Sequence, residues 1–369
     1  MKITFQKEEF LNSLRVVSRA LKKGNIYQIL DCILIDASKN KILLTCQDGK
    51  EINIKSEAEG NILEKGITAL DGDMLISIIN NKSENSDIEL KVNDKRECSI
   101  TSEGGIINIQ AKDETTYPNI PNINKDKKIV INEFKLKKII EKTIFSYDRN
   151  SDSGNVVLRG IYFNINKDKF VAKSMDGYII SIINESINNN NEKYETIVPG
   201  SSLEELNKII KGEVNKDVNI YINDKNIAFE FGDTVFTSII IPNNYIDTDR
   251  IFNVEYSTKV IVNRKDFLNK LISSTPLLRQ NDNKPIILDI KDDVINLSLN
   301  TLSGDFYEKI DIKKTGKDLT IAFNVNYLIK VLNVIDDESI NLYFSGPKNP
   351  IIIKDKQETY SYLLTPVKI

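Results

Sequence analysis

The sequence contains no histidine and no tryptophan, and only three cysteines and three methionines in 369 residues. Histidine is the usual general base near neutral pH and the commonest imidazole metal ligand. Its absence argues against nucleophilic triads, histidine-ligated zinc sites and most acid–base enzymes. Carboxylate and lysine chemistry survive that exclusion. No G-x-x-x-x-G-K-[ST], G-x-G-x-x-G or G-x-S-x-G stretch is present, and the acidic residues are spread through turns instead of clustered. No catalytic residue, metal or cofactor is therefore expected. Cys32, Cys46 and Cys98 are odd in number and lack C-x-x-C spacing, so they are expected to be small buried hydrophobes. No apolar run is long enough to cross a bilayer, and the opening MKITFQKEEF lacks the basic-then-apolar pattern of a signal peptide. The expected compartment is the cytoplasm, with no membrane partner.

A hydrophobic content of 40% can bury ample core, and the length allows two or three domains. The phrase IVINEFKLKKIIEKTIF, Ile129 to Phe145, opens as a short β-type run and passes Asn132, which can cap a helix. It continues with Leu136, Ile139, Ile140 and Ile144 at helical spacing. The same phrase occurs at Ile3 to Leu21 and at Val260 to Leu278. The copies lie about 125 to 130 residues apart, a domain-sized step, which predicts three related domains.

Each domain divides again. The first helix, expected over about Lys7 to Lys22, is followed by an antiparallel meander through CILIDASKNKILLTCQDGKEINIKSEAE, then by a second strand and helix in GITALDGDMLISIINN and three more strands. Residues Thr115 to Asp126 read as a linker. The second and third domains repeat the plan. The expected fold is α+β: three tandem domains, 1–126, 127–257 and 258–369, each two helices packed on antiparallel sheets, six β-α-β-β-β repeats in all.

The formal charge of −3 argues against a wholly basic nucleic-acid binder without locating the charges. The helices are richer in positive charge than the strands. Arg15, Arg19, Lys22 and Lys23 belong to the first, Lys138, Lys142 and Arg149 to the helix opening the second domain, Lys208 and Lys211 to its partner, and Lys270 and Arg279 to the third domain. Lysines cover the solvent face of many amphipathic helices. Their recurrence across domains nevertheless predicts a basic stripe that meets phosphates without reading bases.

Several segments together resemble the bacterial sliding clamp family, the β subunit of DNA polymerase III holoenzyme. ILLTCQDG resembles the family's L-x-x-T-x-T-D, LRGIYFNI its L-x-G-x-x-F, and VAKSMDGYIIS its A-T-D-G-H-R-L-A. TIVPGSSLEEL resembles its I-V-P-x-K, AFNVNYLIKVL its G-F-N-x-x-Y-L, and YLLTPVKI its L-x-P-M-R-L ending. The usual His-Arg pair stands here as Tyr178 and Ile179.

The resemblance implies a head-to-tail ring homodimer that encircles double-stranded DNA without sequence preference, is opened by a clamp loader, and tethers DNA polymerase III and other replication and repair proteins. Such a protein confers processivity without catalysis of its own. The resemblance also implies a pocket for short linear motifs of those partners. One side would be Leu158, Met175, Gly177, Tyr178, Ile179, Ile180, Ile246, Arg250 and Ile251. The other would be Val157, Asn324, Tyr327, Leu363, Thr365, Pro366, Val367, Lys368 and Ile369. The dimer seam would centre on Ile107 and Ile109 of domain one and Leu277 and Leu278 of domain three. The alternative reading is a peptide-binding scaffold of this fold that does not encircle DNA.

Overall fold

In the computed structural model, which describes every residue except 23, 25, 26, 121, 122, 127, 151–153, 189–192, 279–283, 356 and 369, a short strand runs straight into a helix six times. The pairs are Lys2–Gln6 with α1 (Lys7–Val17), Ile67–Asp71 with α2 (Gly72–Asn80) and Lys128–Asn132 with α3 (Glu133–Glu141). Tyr194–Pro199 then leads into α4 (Gly200–Ile209). After a single turn of helix, α5 (Asp249–Phe252), come Thr258–Asn263 with α6 (Arg264–Ser274) and Leu319–Asn324 with α7 (Val325–Asn333).

A polar side chain sits at the joint in most of these units. The first N–H groups of a helix lack intrahelical partners, and a side-chain oxygen at the N-cap satisfies one of them. Asp71 accepts from the N–H of Met74 at 2.9 Å, Asn132 from Lys135 at 3.4 Å, Asn263 from Asp266 at 3.0 Å and Asn324 from Asn326 at 2.9 Å. The first helix is shorter than expected. It ends at Val17 and tightens into a 3-10 turn over Ser18–Ala20, which leaves Lys22 beyond it.

Each strand-helix pair is followed by a three-stranded antiparallel meander, so the six β-α-β-β-β repeats stand as expected. The opening strands are exchanged between neighbouring repeats. Lys2–Gln6 adds to the meander of repeat two through Asp87–Val92, while Ile67–Asp71 adds to that of repeat one through Cys32–Asp36. The same exchange joins Lys128–Asn132 to Asp217–Ile222, Gly160–Ile165 to Tyr194–Pro199, Thr258–Asn263 to Ser339–Phe344, and Pro285–Lys291 to Leu319–Asn324.

The third strands of the meanders carry the sheets onward. Ile52–Ala58 of repeat one pairs antiparallel with Thr234–Ile239 of repeat four, and Ile179–Ser186 of repeat three with Tyr360–Leu364 of repeat six.

The residues group into two compact units. Met1–Leu136 with Ser201–Ile240 forms one, and Lys137–Gly200 with Ile241–Ile369 the other. In the first, alternate residues of Ile52–Ala58 are buried, and α1 turns Phe10, Leu11, Leu14 and Val17 inward. That is the period-2 face meeting the period-3.6 stripe. In the second, Phe163 and Phe170 meet edge to face at 4.9 Å, and α7 buries Val325, Leu328, Val331 and Leu332. All three cysteines are free and buried. Among the described residues no helix is long and apolar enough to cross a membrane, and no cluster of acidic residues or cysteines could hold a metal ion.

Candidate functional site

Four of the expected basic residues of the first unit meet in one groove. Arg15 and Arg19 of α1, Lys208 of α4 and Lys211 just beyond it line a space of about 420 Å³ above the paired strands Ile52–Ala58 and Thr234–Ile239. Lys216 joins them, a residue the sequence reading did not select. The groove also holds Glu57, Glu133, Glu213 and Asp233, two of which bond the groove's own lysine segment. Glu133 is buried and accepts from the N–H groups of Lys211 and Gly212 at 2.6 and 2.9 Å, and Glu213 pairs with Lys216 at 2.9 Å. Lys208 bonds Glu205 at 2.7 Å within α4, and Arg15 donates to Asn80 at 3.0 Å. The side chains of Arg19 and Lys211 are exposed and have no carboxylate partner among the described residues.

The remaining basic residues are placed differently. Lys142 is only 6% exposed; its Nζ lies 2.9 Å from Asp336 and 5.4 Å from the centre of the Tyr360 ring. That position corrects the expectation of a phosphate-facing side chain, because the helix turns this lysine toward the body of its unit. Lys138 is bonded to Glu185, and Lys270 to the carbonyl of Lys309 with Glu308 at 3.6 Å. Lys22 reaches Asp48 at 2.6 Å. Arg149 lies over the Tyr147 ring at 4.6 Å and donates to the carbonyl of Ile144. Lys23 and Arg279 lie outside the described residues.

The expected peptide-pocket residues all fall in the second unit, and the fold sorts them. Ile179 and Ile180 pair with Leu364 and Leu363 across the strand junction. Ile179, Ile180, Leu363 and Val157 are buried in the free chain. Their neighbours stay accessible: Tyr178, Ile246, Ile251 and Val367 are exposed, and so are Gly177, Arg250 and Lys368, while Leu158, Met175, Asn324, Tyr327, Thr365 and Pro366 are half-buried. Ile369 lies outside the described residues.

The turn at Asp176 organises the accessible set. Its carboxylate accepts from the N–H groups of Tyr178 and Ile179 at 2.9 and 2.7 Å, and Gly177 takes a φ of +90° that favours glycine. Burial lifts the Asp176 carboxyl above its usual range, against those two N–H groups and the charge of Lys330. The turn presents Tyr178 to Tyr327, and the two rings stack at 5.2 Å. The C-terminal segment is fastened beside them. Thr365 donates its N–H to the Tyr178 carbonyl at 3.0 Å, and Val367 donates to that of Ala322 at 2.8 Å. Met175, Ile180 and Leu363 share an apolar cluster with Phe252, and Val157 packs with Ile241 and Tyr245. Phe252 was missed; only its apolar character among the polar residues of DTDRIFN marked it.

Ile107 and Ile109 lie on one of two third strands that lack a further neighbour among the described residues, and Leu277 and Leu278 end the 3-10 turn after α6, beside the other. Gly105–Gln110 pairs only with Glu97–Ser102, and the first half of Gly304–Gly316 pairs only with Val294–Thr301 among the described residues. Ile107 is exposed and Ile109 half-buried on the former. Leu277 and Leu278 are half-buried, and the Leu277 side chain lies against Gly304 at the head of the latter. The structure adds exposed Ile106 to one edge and Leu302 and Tyr307 to the other.

Comparison with known proteins covers the whole chain. Family profiles of the DNA polymerase III beta subunit match in order: its N-terminal domain at residues 1–121, its central domain at 130–247 and its C-terminal domain at 249–368. The beta sliding clamp of Staphylococcus aureus is 28% identical over 378 residues, covering 100% of this chain and 99% of that one. A DNA polymerase III beta subunit structure from Eubacterium rectale superposes with a TM-score of 0.96 at 36% identity, over 100% of this chain and 99% of that chain. The DNA polymerase sliding clamp from Bacillus subtilis superposes at 0.95 with 25% identity and the same coverage.

Proposed function

Because the chain belongs to the DNA polymerase III β subunit family, the bacterial sliding clamps, we propose that two copies close head to tail around duplex DNA and hold DNA polymerase III and other replication and repair proteins on it. The protein is a non-catalytic processivity factor. It has three clamp domains, whose limits we draw at 1–126, 127–257 and 258–369.

One observation carries the ring. Inside the chain, the third strand in the first half of a domain pairs with the third strand in the second half of the next domain, once between domains one and two and once between two and three. The same rule applied again joins the first half of domain three, Gly304–Gly316, to the second half of a domain one, Gly105–Gln110. Both of these edges lack a second neighbour among the described residues, and in the reading proposed here the domain one that meets domain three belongs to another copy. Two copies satisfy both unpaired edges and leave neither strand open to aggregation. Ile106, Ile107, Leu302 and Tyr307 supply apolar surface at those edges.

DNA then meets basic side chains without base readout, and enclosure replaces affinity. We place Arg15, Arg19, Lys208, Lys211 and Lys216 on that face and leave Lys142 out of it. Partners dock by short linear motifs against Tyr178, Tyr327, Ile246, Ile251 and the Thr365–Lys368 segment. Apolar anchors are desolvated there, while Asn324 and Arg250 are available to bond the peptide backbone. A clamp loader opens the ring, and the protein acts in the cytoplasm.

The test is retention on DNA by topology. Loaded onto nicked circular DNA, the protein should be retained and should be lost when the same DNA is linearised. A particle of one 42.0 kDa chain across micromolar concentrations, with equal behaviour on both DNAs, would instead favour the scaffold without enclosure.

A further inference from the structure

In the second unit, two partly buried lysines in one cavity are neutralised by carboxylates that stand in solvent. The cavity, about 360 Å³, lies between one sheet face and the segment that contains α5. Lys169, Lys173 and Lys354 line it with Ile182, Asn184, Phe252 and Tyr256. The Lys173 side chain is 12% exposed and its Nζ lies 2.6 Å from Asp249, whose side chain is 72% exposed. Lys354 is 22% exposed and sits 2.9 Å from Glu358, which is 66% exposed. Lys169 has no carboxylate partner among the described residues.

Lys354 is held by more than its counterion. The Lys354 ammonium lies 5.3 Å from the Tyr343 ring centre and 5.8 Å from that of Tyr256, so it keeps its place if Glu358 swings away. An exposed carboxylate contributes little net stability to such a pair. The desolvated lysine nevertheless requires an anion. Exchange of one carboxylate for another is therefore cheap, whereas leaving the seat empty is not.

The cavity is continuous with the peptide region. Ile182 and Phe252 line it and also belong to the apolar cluster that contains Met175, Ile180 and Leu363. A chain seated on that cluster lies beside the cavity through the shared Ile182 and Phe252.

We propose that the cavity takes acidic residues flanking the apolar anchors of partner peptides. In the free protein Asp249 and Glu358 occupy the seats, and in the complex they yield to the partner's carboxylates. This rests on the reading of the peptide pocket. The chemical class selected is an apolar motif with an acidic flank.

The experiment uses the full chain and labelled synthetic peptides with leucine and phenylalanine anchors, extended at either end by glutamates or by glutamines. Fluorescence anisotropy should show the glutamate extension at one end tightening binding roughly fivefold at low salt. The gain should fade as salt screens it. K173Q with K354Q should abolish the gain without changing affinity for the glutamine peptide, and D249N with E358Q should enlarge it. Equal affinity for glutamate and glutamine extensions, with both peptides bound, overturns this inference and leaves the pocket standing. Failure of every peptide to bind overturns the pocket and this extension of it together.

Discussion

Lys22 and Asp48 are joined at 2.6 Å, and the carboxylate that receives the lysine is fully buried. Its other oxygen accepts from the N–H groups of Lys50, Glu51 and Ile52 at 2.9, 2.8 and 3.0 Å. Burial alone would raise the Asp48 carboxyl, but the lysine and the three N–H groups outweigh it and hold it below the usual value. A carboxyl depressed in the folded state adds stability above its unfolded value, roughly 3.9, and loses it as pH falls through the folded value. Chemical denaturation should therefore show an acid loss of stability that D48N flattens, with a cost of about 1–3 kcal/mol at neutral pH. An unchanged acid limb in D48N would remove Asp48 from that role.

Arg19→Ala with Lys211→Ala should weaken retention on DNA and lower the salt slope by roughly one for each phosphate no longer neutralised, with the melting temperature unchanged. Lys142→Ala should do the reverse, since that lysine is buried against Asp336 and Tyr360. It should destabilise by about 1–3 kcal/mol and leave the salt slope alone. Salt-dependent retention and thermal melts on the same preparations check both.

Replacing Leu277 and Leu278 by glutamate should yield folded monomers. An unpaired charge buried at an interface costs roughly 3–5 kcal/mol, which moves dissociation by more than a hundredfold. Light scattering reads the mass and circular dichroism the fold. A persistent dimer would mean that the seam lies elsewhere.

Tyr178→Ala should weaken peptide binding several-fold by removing exposed aromatic surface from the docking region, and loss of its stack on Tyr327 should cost no more than about 0.5–1.5 kcal/mol of stability. The adjacent Ile179→Ala should destabilise the fold by about 2–5 kcal/mol because Ile179 is fully buried. Isothermal titration and urea melts of the two variants separate recognition from packing.

The thiols should be inert in the native protein. Burial pushes Cys32 up to about 11, with Asp71 adding to it, and lifts Cys98 to about 12. Burial drives Cys46 higher still. A thiol reagent at pH 8 should find none in the native state and all three after unfolding. A single fast native thiol would contradict the buried placement.

The repeat was legible because its signals are local. Asn132, Asn263 and Asn324 mark the same strand-to-helix joint by a bond to an N–H only two or three residues on, and periodicity on either side fixes the element. The availability of a charge is not local. Lys142 and Lys211 each lie at the end of a helix, yet Lys142 is claimed by Asp336, far along the chain, while Lys211 remains open in its groove. Aliphatic residues posed the same difficulty. Tyr178, Ile179 and Ile180 are consecutive, and only the pairing with Leu363 and Leu364 decides which of them face the interior.

The exchange of opening strands bears on synthesis. Lys2–Gln6 finds its seat on Asp87–Val92, and Cys32–Asp36 finds its edge partner in Ile67–Asp71. Neither half of a domain is a complete sheet alone: Lys2–Gln6 can pair with Asn61–Glu64 once the first half has emerged, but its seat on Asp87–Val92 forms only after the second half has followed. A nascent chain stalled between the halves would expose a template for strand addition. The chaperone demand of this protein should therefore peak at three points along its translation, one within each domain.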